Sequence, residues 1–164
     1  MQSEKTQILN HDSILIRIER MACEICEKHS QSGNVWICGL NDRGYFLAAL
    51  LCNKIGEILP ELQCKLLRVN TKNGGVDFDG QAHFAGGHVL LVDDVINTGA
   101  TVMKALLKIY EQSPASIGTA FLAKREHRYY PVKADYVGIS LATTLQEHVE
   151  FNNDDPAGLK VYLV

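Results

Sequence analysis

The chain has 164 residues, enough for one domain with a real hydrophobic core, and its 46% hydrophobic and 21% charged residues are those of an ordinary soluble protein. Its formal charge is −3, from 16 basic and 19 acidic residues without a block of like charge, so the basic stripe of a strong nucleic-acid binder is missing, though a local patch is not excluded. No apolar run approaches the roughly 20 residues of a membrane span, and the polar start MQSEKTQILNHDS lacks a signal peptide's apolar middle, so a cytoplasmic location is expected.

Residues 11–29 set Ile14, Ile18, Met21, Ala22 and Ile25 three or four apart, which predicts an amphipathic helix with Asp12 or Ser13 near its N-cap. Inside it stand Cys23-x-x-Cys26 and His29, a pattern that often marks zinc or redox chemistry. A zinc site would need a second ligand pair, and none follows at the usual spacing. The five cysteines (23, 26, 38, 52, 64) are odd in number and irregularly spaced, so they are no disulfide framework and read as small apolar residues. NVWICGL (34–40) predicts a buried strand, residues 44–59 a second helix, and CKLLRV (64–69) a second strand. Residues 70–87 hold five of the thirteen glycines among many polar residues and predict a hairpin or mobile loop. A strand over 88–93, a helix over about 99–112 and strands over 116–124, 134–140 and 160–164 complete one domain without repeats or linkers. This alternation implies βαβ crossovers: an α/β fold with a mainly parallel, doubly wound sheet flanked by helices. Ligands of such sheets gather at the carboxyl ends of the strands, where Asp93 and Asp94 stand.

The stretch HVLLVDDVINTGATVMKAL concentrates the chemistry. Adjacent carboxylates repel each other and suit a crevice holding solvent, a cation or a ligand rich in hydroxyl donors. A ribose offers two neighbouring hydroxyls, one for each carboxylate. Behind them, Asn97-Thr98-Gly99-Ala100-Thr101 opens a helix whose free backbone amides, with the hydroxyls of Thr98 and Thr101, make an anion cradle. Gly99 lets the backbone come close to the anion. Carboxylates for a sugar and a cradle for a phosphate describe a ribose-5-phosphate site. There is no Walker A loop and no G-x-G-x-x-G fingerprint, and a phosphoacceptor reading of the aspartates leaves the T-G-A-T turn unexplained.

VLLVDDVINTGATV resembles the phosphoribosyl-pyrophosphate motif of type I phosphoribosyltransferases. Together with VWICGLNDRGYFLAALL, HRYYPVKADYVG and the tail LQEHVEF…LKVYLV, nearly the whole chain resembles the bacterial pyrimidine-operon attenuator/uracil phosphoribosyltransferase family. The resemblance implies a type I phosphoribosyltransferase fold with a small hood and a mobile hairpin loop over 70–87. It implies a Mg²⁺-dependent transfer from phosphoribosyl pyrophosphate to a free nucleobase, uracil first, in a homodimer or higher homo-oligomer. Asn41, Asp42, Arg43 and Gly44 would hold pyrophosphate, with Arg43 the bidentate donor. Asp93 and Asp94 would orient the ribose and favour its cationic transition state, with Mg²⁺ on ligand oxygens and on these carboxylates. Val95, Ile96, Asn97, Thr98, Gly99, Ala100 and Thr101 would bind the 5′-phosphate. Tyr136 and Val137 would hold the base by stacking and main-chain hydrogen bonds, aided by Lys124. Pyrophosphate loops of this kind often contain a non-proline cis peptide, so a cis or strongly outlying bond is expected within residues 40–43.

This chain departs from the family pattern in three places. Its pyrophosphate loop reads Asn-Asp-Arg-Gly rather than Lys-Thr-Arg-Gly, which removes a positive charge and adds a negative one. Its hairpin loop lacks the Tyr-Arg-Asp-Asp run and offers only Arg68 and Lys72 as cations. Lys124 stands where the family usually has an acidic residue and where 6-oxopurine enzymes have a lysine. A hypoxanthine/guanine enzyme and an RNA-binding attenuator are therefore the alternatives, the second disfavoured by the charge balance.

Overall fold

A computed structural model of the chain describes residues 5–155 and 157–164. Strand β1 (Thr6–Leu9) leads into helix α1 (His11–His29), which spans the range predicted from its apolar spacing. Its cap lies slightly earlier than expected. Asn10 Oδ1 accepts the Ser13 amide at 2.9 Å while Ser13 Oγ accepts the Asn10 amide at 3.1 Å, a reciprocal capping box. Then follow β2 (Asn34–Leu40), α2 (Asn41–Ile58), β3 (Gln63–Asn70), β4 (Asp77–Asp79) and β5 (His88–Ile96). The chain ends with α3 (Ala100–Tyr110), β6 (Ser116–Arg125), β7 (Tyr136–Leu141), β8 (Val149–Asn152) and β9 (Lys160–Leu163).

Six strands form one sheet in the order β4-β3-β2-β5-β6-β7. All neighbours are parallel except β4, which pairs antiparallel with β3 as the outer arm of a hairpin. Strand side chains alternate between two cores. Val35 and Ile37 of β2 with Leu90 and Val92 of β5 pack against α1 and α2, whereas Cys38, Leu40, Val89 and Leu91 pack with Val102, Ala105 and Ile109 of α3. The expected doubly wound α/β fold is present. A second, antiparallel sheet of order β1-β9-β8 forms the hood. Its Leu9, Val149, Phe151 and Val161 join the core beneath α1 and α2. The short strands β1 and β8 are additions to the strands expected from the sequence, and β4 is the outer arm of the expected hairpin. No described helix is long and apolar enough to cross a membrane.

The outer edge of β7 is covered rather than open. Arg20 Nη2 donates to the Val137 carbonyl at 2.7 Å, and Arg17 Nη1 donates to the Gly138 carbonyl at 3.0 Å.

The stretch expected to be a hairpin or mobile loop forms the β3–β4 hairpin and is partly built into the core. After the 3₁₀ turn Lys72–Gly74 and β4, Phe84 is completely buried, edge-on to Trp36 and Phe78 with both centroids at 5.3 Å. Its amide donates to Gln112 Oε1 at 3.0 Å. Phe84→Ala should destabilise the fold by about 3–5 kcal/mol, the usual loss for a buried phenylalanine, measured as a drop in chemical-denaturation midpoint. A variant as stable as the parent would show that this anchor does not hold.

Near the amino end of β5, His29 closes α1 with its ring 5.4 Å from that of His88. Burial, then His88 and Lys28, push its pKa below the ordinary value. The unfolded chain therefore binds a proton at His29 more readily than the folded one. That contribution to stability is present above the unfolded value of about 6.5 and is lost as pH falls from there through the folded value. Thermal unfolding temperature should decline between pH 7.5 and 5.5, and His29→Gln should flatten that slope.

Candidate functional site

The carboxyl ends of β2 and β5 open on a crevice of about 510 Å³. Leu40, Asn41, Asp42 and Arg43 line it from the β2–α2 junction. Residues 93–102 line it from the end of β5 and the turn into α3, and Val149 enters from the hood.

Gly44 determines how closely these walls approach. A Cβ there would lie 2.6 Å from the Val92 carbonyl oxygen and 3.1 Å from Asp93 Oδ1, so a residue without a side chain is required for α2 to begin against β5. That approach brings Arg43 Nη1 to 3.8 Å from Asp94 Oδ2. Among the described residues there is no cis peptide bond, so the cis expectation for residues 40–43 is corrected. The unusual backbone is instead the φ of Asn41, at 54° in the left-handed region, which asparagine tolerates better than most residues. Its side chain is fixed by Thr71: Asn41 Oδ1 accepts the Thr71 amide at 3.0 Å and Nδ2 donates to Thr71 Oγ1 at 2.9 Å.

Strand β5 continues through Ile96 rather than ending at residue 93, so Asp93 and Asp94 lie within its last stretch. Asp94 exposes only 15% of its side chain. Asp93 Oδ1 accepts the Asp94 amide at 2.9 Å. Burial above all, reinforced by the neighbouring Asp94 charge, raises the Asp93 pKa well above the usual carboxylate range, while the Asp94 amide and Arg43 pull it down. Two crowded carboxylates with so little protein compensation are suited to donors from a ligand. Beyond them Gly99 caps α3 at φ 85°, and Thr98 Oγ1 accepts the Ala100 amide at 3.3 Å. The first-turn amides of α3 have no intrahelical acceptors, and the positive end of the helix lines the crevice.

The structure thus brings together Asn41, Asp42, Arg43, Asp93, Asp94 and residues 95–101 around one space, with Gly44 just behind it. It does not bring Tyr136, Val137 or Lys124 to that wall. Tyr136 begins β7 opposite Ala120, is 5% exposed, and belongs to the core under α1. Its hydroxyl is buried without a hydrogen-bond partner. The Val137 carbonyl is occupied by Arg20. Both stand at the amino end of β7, because that strand starts at residue 136 rather than 134 and runs on to Leu141. Lys124 lies near the end of β6 in register with Ile96 and Ser140, half-buried. Of the two loop cations, Lys72 is exposed in the 3₁₀ turn, and Arg68 is on β3 with Nη1 at 3.3 Å from Asp42 Oδ1.

Two residues escaped the sequence reading. Val149 occupies the wall where the hood approaches β5, and only the alternation of HVEF hinted at a strand there. Arg125, buried at the end of β6, donates from Nε to Thr143 Oγ1 at 2.8 Å, from Nη2 to the Thr144 carbonyl at 3.0 Å and from Nη1 to Asn97 Oδ1 at 3.4 Å. It ties the turn after β5 to the segment that leads into β8. Nothing in the Lys-Arg dipeptide distinguishes it from a surface pair.

The family model described as the phosphoribosyl transferase domain matches residues 4–155. The bifunctional protein PyrR of Pelotomaculum thermopropionicum is 37% identical over 161 residues, covering 91% of this chain and 89% of its own. The bifunctional protein PyrR 1 of Lactiplantibacillus plantarum is 33% identical over 146 residues, covering 80% and 81%. Among solved structures, the hypoxanthine phosphoribosyltransferase of Trypanosoma cruzi superposes with a TM-score of 0.79 over 95% of both chains at 20% identity. A hypoxanthine-guanine phosphoribosyltransferase of Bacillus anthracis gives 0.73 over 85% of both at 16% identity. At that identity the two structures speak for the fold alone. The family match along nearly the whole chain and the PyrR relatives show that this chain belongs to the type I phosphoribosyltransferase family and resembles its PyrR branch.

Proposed function

We propose that this phosphoribosyltransferase moves ribose-5-phosphate from phosphoribosyl pyrophosphate to uracil, giving UMP and pyrophosphate, with Mg²⁺ as cofactor. The observation that carries the reading is the union, around one 510 Å³ space, of an arginine loop, two carboxylates and a helix amino end. The anion cradle of residues 97–101 takes the 5′-phosphate, Asp93 and Asp94 accept from the ribose hydroxyls, and Arg43 meets the pyrophosphate. The base then lies toward Val149, under the hood. The chain's tail resembles the uracil branch, which favours a one-ring base.

Asp93 and Asp94 are hard oxygen donors of the kind magnesium takes. The described residues nevertheless hold no group of three or more histidine, cysteine, aspartate or glutamate side chains able to cage a metal. That donor set fits an ion held mainly by substrate oxygens and water, with one or two carboxylates in support. When bound, it supplies charge neutralisation at the pyrophosphate and ribose oxygens. The remaining work belongs to the protein. A nitrogen of the base attacks C1 of the ribose as the bond from C1 to the pyrophosphate oxygen breaks. Positive charge grows on the sugar ring, close to the two aspartates, and negative charge on the leaving group, close to Arg43. Holding both reactants in line provides the rest of the acceleration, and the hairpin tip ahead of the Phe84 anchor closes to exclude water.

Initial rates with uracil, hypoxanthine and guanine, each with phosphoribosyl pyrophosphate and Mg²⁺, test the base. Uracil should be fastest, and faster turnover of either purine would overturn the assignment. Asp93→Asn separates chemistry from stability. Loss of a charge-assisted hydrogen bond should reduce turnover roughly ten- to a hundredfold, about 1.5–3 kcal/mol. The same change should raise the unfolding temperature of the ligand-free protein at pH 8. The sign follows from the raised pKa: a group that resists ionisation in the fold favours folding below its unfolded value and loses that contribution as pH rises through its folded one. Unchanged turnover would remove Asp93 from the site.

A further inference from the structure

Arg125 closes β6 in register with Leu141 of β7, and it is 9% exposed. No carboxylate pairs with its guanidinium among the described residues, so a full positive charge is buried on neutral acceptors alone, an arrangement that costs stability. Three of its five N–H groups are used, and they serve two separate places. The short bonds go to the chain just beyond β7, from Nε to Thr143 Oγ1 at 2.8 Å and from Nη2 to the Thr144 carbonyl at 3.0 Å. Glu147 Oε2 accepts the Thr144 amide at 2.6 Å and stiffens the same segment just before Val149. The longer bond, 3.4 Å from Nη1, reaches Asn97 Oδ1 on the crevice wall. Arginine offers no acceptor, so it must meet the oxygen of that amide, and Nδ2 is left free for an acceptor in the crevice. The backbone of the turn is held separately, by the Tyr129 and Tyr130 amides on the Thr98 carbonyl, each at 3.1 Å. Arg125 thus fixes one side chain and one segment, not the turn itself.

We propose that Arg125 is a positioning residue shared by the two ends of the crevice: it turns the Asn97 amide so that Nδ2 donates to the substrate's 5′-phosphate, and it holds residues 143 and 144 so that the hood lies over the base. The inference rests on the phosphoribosyltransferase reading above. Both effects pass through other residues, so Arg125 touches no reacting atom. A planar guanidinium whose donors diverge in fixed directions suits this role, and an ammonium on a flexible stem does not. An anion drawing on Nδ2 makes Oδ1 a better acceptor and so strengthens the Arg125 contact. The phosphate end and the base end are thereby coupled, and occupation of either tightens the other. The uncompensated charge of Arg125 also adds positive potential behind a turn that receives an anion.

Isothermal titration of the full chain with ribose 5-phosphate and with UMP, both in the presence of Mg²⁺, provides the test. Ribose 5-phosphate reports on the phosphate end alone, and UMP on both ends. Arg125→Gln should weaken ribose 5-phosphate roughly tenfold, the loss of one hydrogen bond to a charged group, and should weaken UMP by a larger factor. Asn97→Ala should lose ribose 5-phosphate affinity to the same extent. The Asn97→Ala/Arg125→Gln double variant should lose no more of it, because the arginine acts through the asparagine. Thr143→Val removes an acceptor on the hood side only, so it should weaken UMP and spare ribose 5-phosphate. Unchanged ribose 5-phosphate affinity in Arg125→Gln overturns the proposal, and so do equal losses for the two ligands or additive losses in the double variant. Should Arg125→Gln fail to fold, the other variants decide: parent-like ribose 5-phosphate binding by Asn97→Ala, or parent-like UMP binding by Thr143→Val, overturns it. The outcomes stay separable from the choice of base. If the parent and its variants follow this pattern with inosine monophosphate while the parent does not bind UMP, the uracil reading fails and Arg125 stands. If the parent makes UMP and Arg125→Gln keeps both of its affinities, Arg125 fails alone.

Discussion

Two carboxylates in succession at the carboxyl end of β5, pressed against the start of α2, are the constraint around which the crevice is arranged. Burial and mutual repulsion both oppose their ionised form, and the protein answers them only in part. Asp93 receives one backbone amide, from Asp94, and Arg43 stays at 3.8 Å from Asp94 rather than closing to a tight pair. A site with full internal compensation would leave no acceptor free for a hydroxyl-rich ligand. The incomplete one retains acceptor capacity where a ribose would place its hydroxyls. Such arrangements trade stability for chemistry, as expected of groups whose pKa values are displaced.

The same economy governs the backbone around them. Gly44 brings α2 and β5 into contact, and Asn41 takes the left-handed conformation that turns the chain from β2 into α2. Thr71 then clamps Asn41 from the end of β3, so three neighbouring parallel strands share the positioning of one loop. On the far side Arg125 links Asn97 with residues 143 and 144, and through them with the segment that becomes the hood. The turn after β5 and the segment that leads into the hood are therefore mechanically connected by a buried arginine.

Legibility in the sequence followed the range of the interactions. The α1 helix and the β2 strand were readable to the residue because each buries a regular face, with Ile14, Ile18, Met21 and Ile25 in one case and a continuous apolar run in the other. The crevice residues between 93 and 101 were readable for a related reason. A strand end, a glycine in a left-handed cap and a helix amino end are consecutive in the chain, so their chemistry is spelled out locally. Residues 70–87 were only half legible. Glycines and polar residues announced a turn, but the burial of Phe84 depends on Trp36 and Phe78, which lie elsewhere in the chain.

By itself, then, the order of residues determined the doubly wound α/β sheet, the acidic strand end and the glycine-capped helix start behind it, because period, capping and turn chemistry act over a few neighbouring residues. Only the tertiary structure decided what else faces the crevice. The resemblance gives Tyr136 and Val137 to the base; the structure puts them at the start of β7, the Tyr136 ring in the core and the Val137 carbonyl under Arg20. Val149 reaches the wall instead, because β8 pairs with β9 and folds back over β5. Arg68 meets Asp42 because β2 and β3 pair in parallel register. Each of these depends on where a strand starts, or on which strand lies beside it. Side chains far apart in the chain are brought together by sheet register, and no local pattern encodes a register.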